Sequence, residues 1–260
     1  MGDGFVKCCT GNRRAVVLFV IVQAILYVTF LTLDLCDKHI TLSNWIKFSV
    51  IILCFCYVLF YAKSSDKSIF FLPSIMKLAM LFTVISDLFL LILDHYFFGV
   101  ITFIVVQQLY AVRIILAEAE RRANMSSYLL GQFLTRIMIQ SIITGIICML
   151  LMRYDIKLEP LLVVSTIYFI SILMNVLFAV RATARNLEDK NMLFFTIGMG
   201  LFLLCDINVG LFNLTGFISL PKVIDQHIYS LSSILMWAFY APSQAMIALS
   251  TSITSNIDKD

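Results

Sequence analysis

Ile69-Phe-Phe-Leu-Pro-Ser-Ile-Met-Lys-Leu-Ala-Met-Leu-Phe-Thr-Val-Ile-Ser-Asp87-Leu-Phe-Leu-Leu-Ile-Leu93 is the stretch that decides the fold of this chain. It is long enough to cross a bilayer, for which a helix needs about 20 apolar residues. Its apolar residues run on without alternating, which predicts a helix and excludes a membrane β-barrel strand. Near its end sits a carboxylate, Asp87, where lipid makes charge expensive. A helix of this kind cannot be the core of a soluble domain.

Seven further runs of the same character flank it, at 15–34, 45–62, 97–117, 129–151, 160–180, 191–213 and 228–250. With 69–93 they predict eight transmembrane helices in an all-α, polytopic membrane protein, and residues 1–260 form a single membrane domain. The connectors are short and leave no room for a soluble domain. The first run follows Arg13-Arg14 and carries no small-residue cleavage site, so it reads as a retained helix rather than a signal peptide.

Composition agrees. Of 260 residues, 61% are hydrophobic and 13% charged, and the mean hydropathy is +0.96. Soluble domains carry about 45–50% apolar and about 25% charged residues, so lipid must cover part of this surface. Nucleic-acid binders, secreted disulfide scaffolds and cytosolic enzymes are excluded together.

Orientation follows from the connector cations. Lys7, Arg13, Arg14, Lys63, Lys67, Arg121, Arg122, Arg181, Arg185, Lys190 and Lys259 fall on one side; Lys38, Arg153, Lys157 and Lys222 fall on the other. The excess places both termini in the cytoplasm, in the plasma membrane or an endomembrane. Arg113 and Arg136 lie about two turns inside their spans and are expected to snorkel.

An ionisable group at the centre of a membrane helix costs roughly 2.5–3.5 kcal/mol on insertion scales. Of the 16 acidic residues, only Asp87 and Asp206 lie well inside a span. Both spans run outward, and each aspartate precedes the outer end of its helix by about 9–10 Å at 1.5 Å per residue. The two carboxyls are therefore expected at one depth, facing one cavity. Two such groups in a low-dielectric site divide the roles of acid and base between them. The alternative is that each aspartate hydrogen-bonds a neighbouring helix as packing glue.

Helical spacing adds two polar pairs: Gln107 with Tyr110, and Tyr240 with Gln244. Asn175 and Asn208 are secondary candidates for the same cavity. The histidines, His39, His95 and His227, fall in connectors without His-x-x-x-His spacing, so no metal site is expected. No Walker motif or nucleophile elbow is present. Among the seven cysteines, Cys8 and Cys9 are either free thiols or acylation sites, whereas Cys54-x-Cys56 points to opposite helix faces and makes a poor metal clip.

The ordered set of motifs resembles a known family. Ser86-Asp87-Leu-Phe-Leu90, Gly99-x-x-x-Phe103 and Tyr110 are followed by Gly198-Met-Gly-Leu-Phe202-Leu-Leu-Cys-Asp206 and by Phe239-Tyr240-Ala-Pro-Ser-Gln244-Ala-Met-Ile247. Over residues 70–250 this order is similar to the YhhN / transmembrane protein 86 family of lysoplasmalogenases, with Tyr168 and Met174 matching a weaker pattern between. Four departures stand out. Ser86 replaces the family's Gly, Cys205 its Ser and Gln107 its His, and an early Lys-Pro pair is missing although Lys47 can stand in for the lysine.

The resemblance implies hydrolysis of the vinyl ether bond of lysoplasmalogen to a fatty aldehyde and glycerophosphoethanolamine or glycerophosphocholine. Asp87 and Asp206 would be catalytic, Gln107, Tyr110, Tyr240 and Gln244 would orient water and headgroup, and neither metal nor cofactor is required. The partners are then a lysophospholipid substrate and bilayer lipids, with no nucleic acid. The competing expectation is a proton-coupled transporter or non-catalytic lipid-binding protein that uses the same aspartates as a relay.

Overall fold

The computed structural model describes residues 3–36, 40–62, 71–119, 125–154, 157–214 and 221–252. The expectations placed on Cys8, Cys9 and His39 lie outside the described side chains. Eight long helices and no strand occur among the described residues: α1 (Asp3–Leu35), α2 (Ile40–Tyr61), α3 (Leu72–Asp87), α4 (Tyr96–Ala119), α5 (Met125–Arg153), α6 (Pro160–Arg185), α7 (Lys190–Leu214) and α8 (Lys222–Leu249). α3 is prolonged by a π turn, Leu88–Ile92.

Seven of these helices, α1 to α7, are long and apolar enough to cross a membrane, which makes the chain a multi-pass membrane protein. α8 is long enough at 28 residues but is more polar. It begins at Lys222, earlier than the expected 228, so His227 lies in its second turn and not in a connector.

Pairwise packing arranges six helices as a ring in the order α2, α3, α4, α6, α7, α8 and back to α2. α1 braces the ring from outside against α2 and α8, and α5 braces it against α4 and α6. The bracing helices have only 17% of their apolar stretch buried, against 50% for α4. Leu130, Leu134, Met138, Ile142, Ile146 and Met149 form the exposed stripe of α5, at helical spacing on one face. Such a stripe on a soluble protein would aggregate; in a bilayer it meets acyl chains.

Two close approaches set the ring. A Cβ on Gly198 would lie 2.7 Å from Ile247 and 3.0 Å from the Ser243 carbonyl, so α7 and α8 touch backbone to backbone there. A Cβ on Gly99 would lie 2.6 Å from Leu90, and one turn along the same contact Ser86 Oγ bonds Thr102 Oγ1 at 2.7 Å across α3 and α4. Ser86 thus gains an interhelical bond that glycine could not make.

α8 carries Pro242 in its interior. Proline has no N–H, so the carbonyl four residues back, Ala238, loses its helical donor. The Tyr27 hydroxyl of α1 donates to that carbonyl at 3.1 Å. In lipid no water can do this, so the tyrosine holds the bracing helix to the ring. Tyr27→Phe is expected to destabilise the protein by about 1–3 kcal/mol, the cost of an unpaired buried carbonyl. Pro242→Ala in the same background should recover most of that loss, because alanine restores the N–H. Thermal unfolding of the detergent-purified variants measures both.

Candidate functional site

Asp87 ends the regular part of α3 and is 2% exposed. The π turn follows it directly, with the Leu93 N–H donating to the Leu88 carbonyl at 3.1 Å, and Asp94 closes the helix with a positive φ of 54°. Turns of this type widen a helix locally and often accompany functional residues. From α8, Tyr240 donates its hydroxyl to Asp87 Oδ2 at 2.7 Å.

Asp206, half-buried on α7, has the same arrangement with a different tyrosine. Tyr168 of α6 donates to its Oδ2 at 2.8 Å. Phe103 of α4 joins the two pairs, its ring centroid 5.8 Å from Tyr168 and 6.3 Å from Tyr240. Phe202 packs on both Phe103, at 5.8 Å, and Tyr240, at 5.4 Å. The aspartates therefore flank one aromatic cluster inside the ring. No hydrogen bond joins the two carboxyls directly; each is held by its own tyrosine.

The four residues expected to orient substrate all face inward and are nearly or fully buried: Gln107, Tyr110, Tyr240 and Gln244. Three of them retain a polar atom without a protein partner, namely Gln107 Nε2, the Tyr110 hydroxyl and Gln244 Oε1. Each such atom costs about 1–3 kcal/mol when left unpaired, so these three are buried polar groups open to a further partner. Asn175 belongs to the region too, donating to Gln107 Oε1 at 2.7 Å. Asn208 does not; its amide bonds its own helix at Leu204.

Snorkelling of Arg113 and Arg136 is not what occurs. Each is 4% exposed. Arg113 donates to Ser250 Oγ at 2.8 Å and to the Ser250 carbonyl at 3.2 Å, capping the end of α8, and lies 4.1 Å over the Phe195 ring. A cation at a helix C-terminus meets the negative end of the helix dipole. Arg136 donates to the Ser171 carbonyl and to Asn175 Oδ1 on α6. Snorkelling needs a free path to the headgroups, and here acceptors on neighbouring helices are nearer than the interface.

Sequence reasoning missed two features. Tyr168 entered only through the resemblance, yet it holds Asp206. Lys47 pairs with Asp34 at 2.8 Å, and its ammonium lies 4.9 Å from the Trp237 ring centroid. Asp34 also accepts from Ser43. The available signal was a lysine just inside span 45–62, one short connector after an acid at the end of span 15–34.

Fold and site together define a multi-pass helical membrane protein with two carboxyl–tyrosine pairs inside its helix ring, one buried and one half-buried. No protein-family model matches the chain, and neither does any curated protein or solved structure. The buried ion pair gives a direct test of the geometry. Asp34→Asn leaves Lys47 charged and unpaired and should cost about 3 kcal/mol or more, whereas Asp34→Asn with Lys47→Met should recover most of it. Thermal unfolding of the single and double variants decides.

Proposed function

We propose that this protein is a lysoplasmalogenase-like membrane hydrolase of the YhhN / transmembrane protein 86 type, cleaving the vinyl ether bond of a lysophospholipid. The reading takes α8 as an eighth span, both termini as cytoplasmic, and the plasma membrane or an endomembrane as the location. The observation that carries it is the pair of aspartates, each hydrogen-bonded to a tyrosine beside one aromatic cluster, with unpaired polar atoms on Gln107, Tyr110 and Gln244 in the same ring.

The chemistry suits carboxyls. A vinyl ether is protonated at its β carbon, which leaves an oxocarbenium ion for water to capture. One aspartate supplies the proton; the other stabilises the cation and takes a proton from the attacking water. Aromatic walls such as Phe103 and Phe202 suit an acyl-like chain and face the cation with π density. The tyrosines keep the carboxyl oxygens in place, so little reorganisation is needed when charge develops.

The transporter or lipid-binding reading draws on the same aspartates and on Gln107, which carries no titratable proton where the family has histidine. Aldehyde release separates the two. Purified wild-type protein given lysoplasmalogen should release free fatty aldehyde, and Asp87→Asn and Asp206→Asn should each lower the rate by about 10²-fold or more, as loss of a general acid or base does. Substrate binding without aldehyde would favour the transporter or binding protein, and variants as fast as wild type would remove the aspartates from the mechanism.

A further inference from the structure

We propose that Arg136 and Asn175 are positioning residues that act through Gln107 and Tyr168 on Asp206, and that this chain makes Asp206 the base and Asp87 the proton donor. The inference rests on the hydrolase reading and adds what that reading leaves open, the division of labour between the aspartates.

Arg136 on α5 starts a series of contacts that crosses to α6 and α4. A guanidinium only donates, so the Asn175 atom facing Arg136 must be its oxygen, as observed. That turns the Asn175 Nδ2 toward α4, where it donates to Gln107 Oε1 at 2.7 Å and to the Gln107 carbonyl at 2.9 Å. With Oε1 occupied, the free end of the Gln107 amide is the donor Nε2, which has no acceptor at hydrogen-bond distance. The Gln107 side chain lies beside the Tyr168 hydroxyl. That hydroxyl in turn donates to Asp206 at 2.8 Å and keeps lone pairs for an incoming donor.

The hydrogen bonds on either side of the Gln107–Tyr168 approach point the same way, from a cation that cannot accept, through Asn175, to Gln107, and from Tyr168 to the Asp206 carboxyl. Amide orientation is often arbitrary, but here Arg136 dictates it at both Asn175 and Gln107. No carboxylate pairs with Arg136 among the described residues; the ion pairs there are Lys47 with Asp34 and Arg185 with Glu118. Its charge is therefore free to polarise the chain toward Asp206. Asp87 receives Tyr240, and Lys47, which stands behind that tyrosine across the Trp237 ring, is already paired with Asp34. α5, otherwise a lipid-facing brace, thereby gains a reason to carry an arginine.

The step balances on these roles. Asp87 gives its proton to the β carbon, forming a C–H bond, and the ether oxygen shares the resulting positive charge. Water adds to the cationic carbon while Asp206 takes its proton. The hemiacetal returns its hydroxyl proton to Asp87 as the C–O bond to glycerol breaks, and Asp206 protonates the leaving alkoxide. Both aspartates end as they began.

The test uses full-length protein and aldehyde release from lysoplasmalogen. Asn175→Asp keeps the acceptor for Arg136 but cannot donate to Gln107, and Gln107→Glu places an acceptor where the donor stood. Each should lower kcat about tenfold with KM within about twofold, and the double variant should be no slower than the slower single, as residues acting in series behave. Formate, a free carboxylate and not an acid at neutral pH, should restore aldehyde release to Asp206→Ala and not to Asp87→Ala. An active wild type whose two amide variants keep kcat within about twofold, or multiply their losses, overturns the inference alone. Formate rescue of Asp87→Ala, or of neither variant, overturns the role assignment. A wild type that binds lysoplasmalogen and yields no aldehyde overturns the hydrolase reading and this inference with it.

Discussion

Within a bilayer little water reaches a polar group, so a hydroxyl, carbonyl or charge left without a partner in the protein is costly. The bond from Tyr240 to Asp87 is the clearest consequence, because it ties α8, the most polar helix, to the interior of the ring. Two residues further along, Pro242 opens the same helix, and Tyr27 of α1 closes the gap it leaves. Gly198 lets α7 approach that stretch of α8 closely. The segment that holds the carboxyl is thus also the segment that fixes three helices in place, and the site and the fold share their supports.

Charge is distributed by the same constraint. Two aspartates and two arginines lie inside the bundle, and neither arginine is paired with an aspartate. Each aspartate takes a tyrosine, Arg113 takes the end of α8, and Arg136 takes an amide. No direct ion pair joins these groups to one another; hydroxyls, amides and carbonyls meet them instead. Lys47 and Asp34, near the ends of their helices, do form the direct pair.

Much of the ring could be read from the chain. Eight apolar runs became eight helices, and the residues that broke the pattern, Asp87 and Asp206, became partners of tyrosines. Gln107, Tyr110, Tyr240 and Gln244 all turned inward as their helical spacing required. The arginines were misjudged because distance to a helix end is a one-dimensional measure, whereas the nearest acceptor may be supplied by another helix. Asn175 and Asn208 show the same limit: both are asparagines inside apolar runs, yet one reaches Gln107 and the other only its own helix.

By itself the sequence determined the solvent, the number of long helices, and that Asp87 and Asp206 would be drawn inside the bundle, since each follows from apolar run length and from the cost of charge in lipid. Tertiary structure alone decided which tyrosine serves which aspartate, that α1 and α5 stand outside the ring, and that Arg136 points through Asn175 at Gln107. Those choices depend on the rotation of each helix about its axis and on the helix beside it. Neither is set by local spacing; both are set by which buried donors and acceptors can be paired at once.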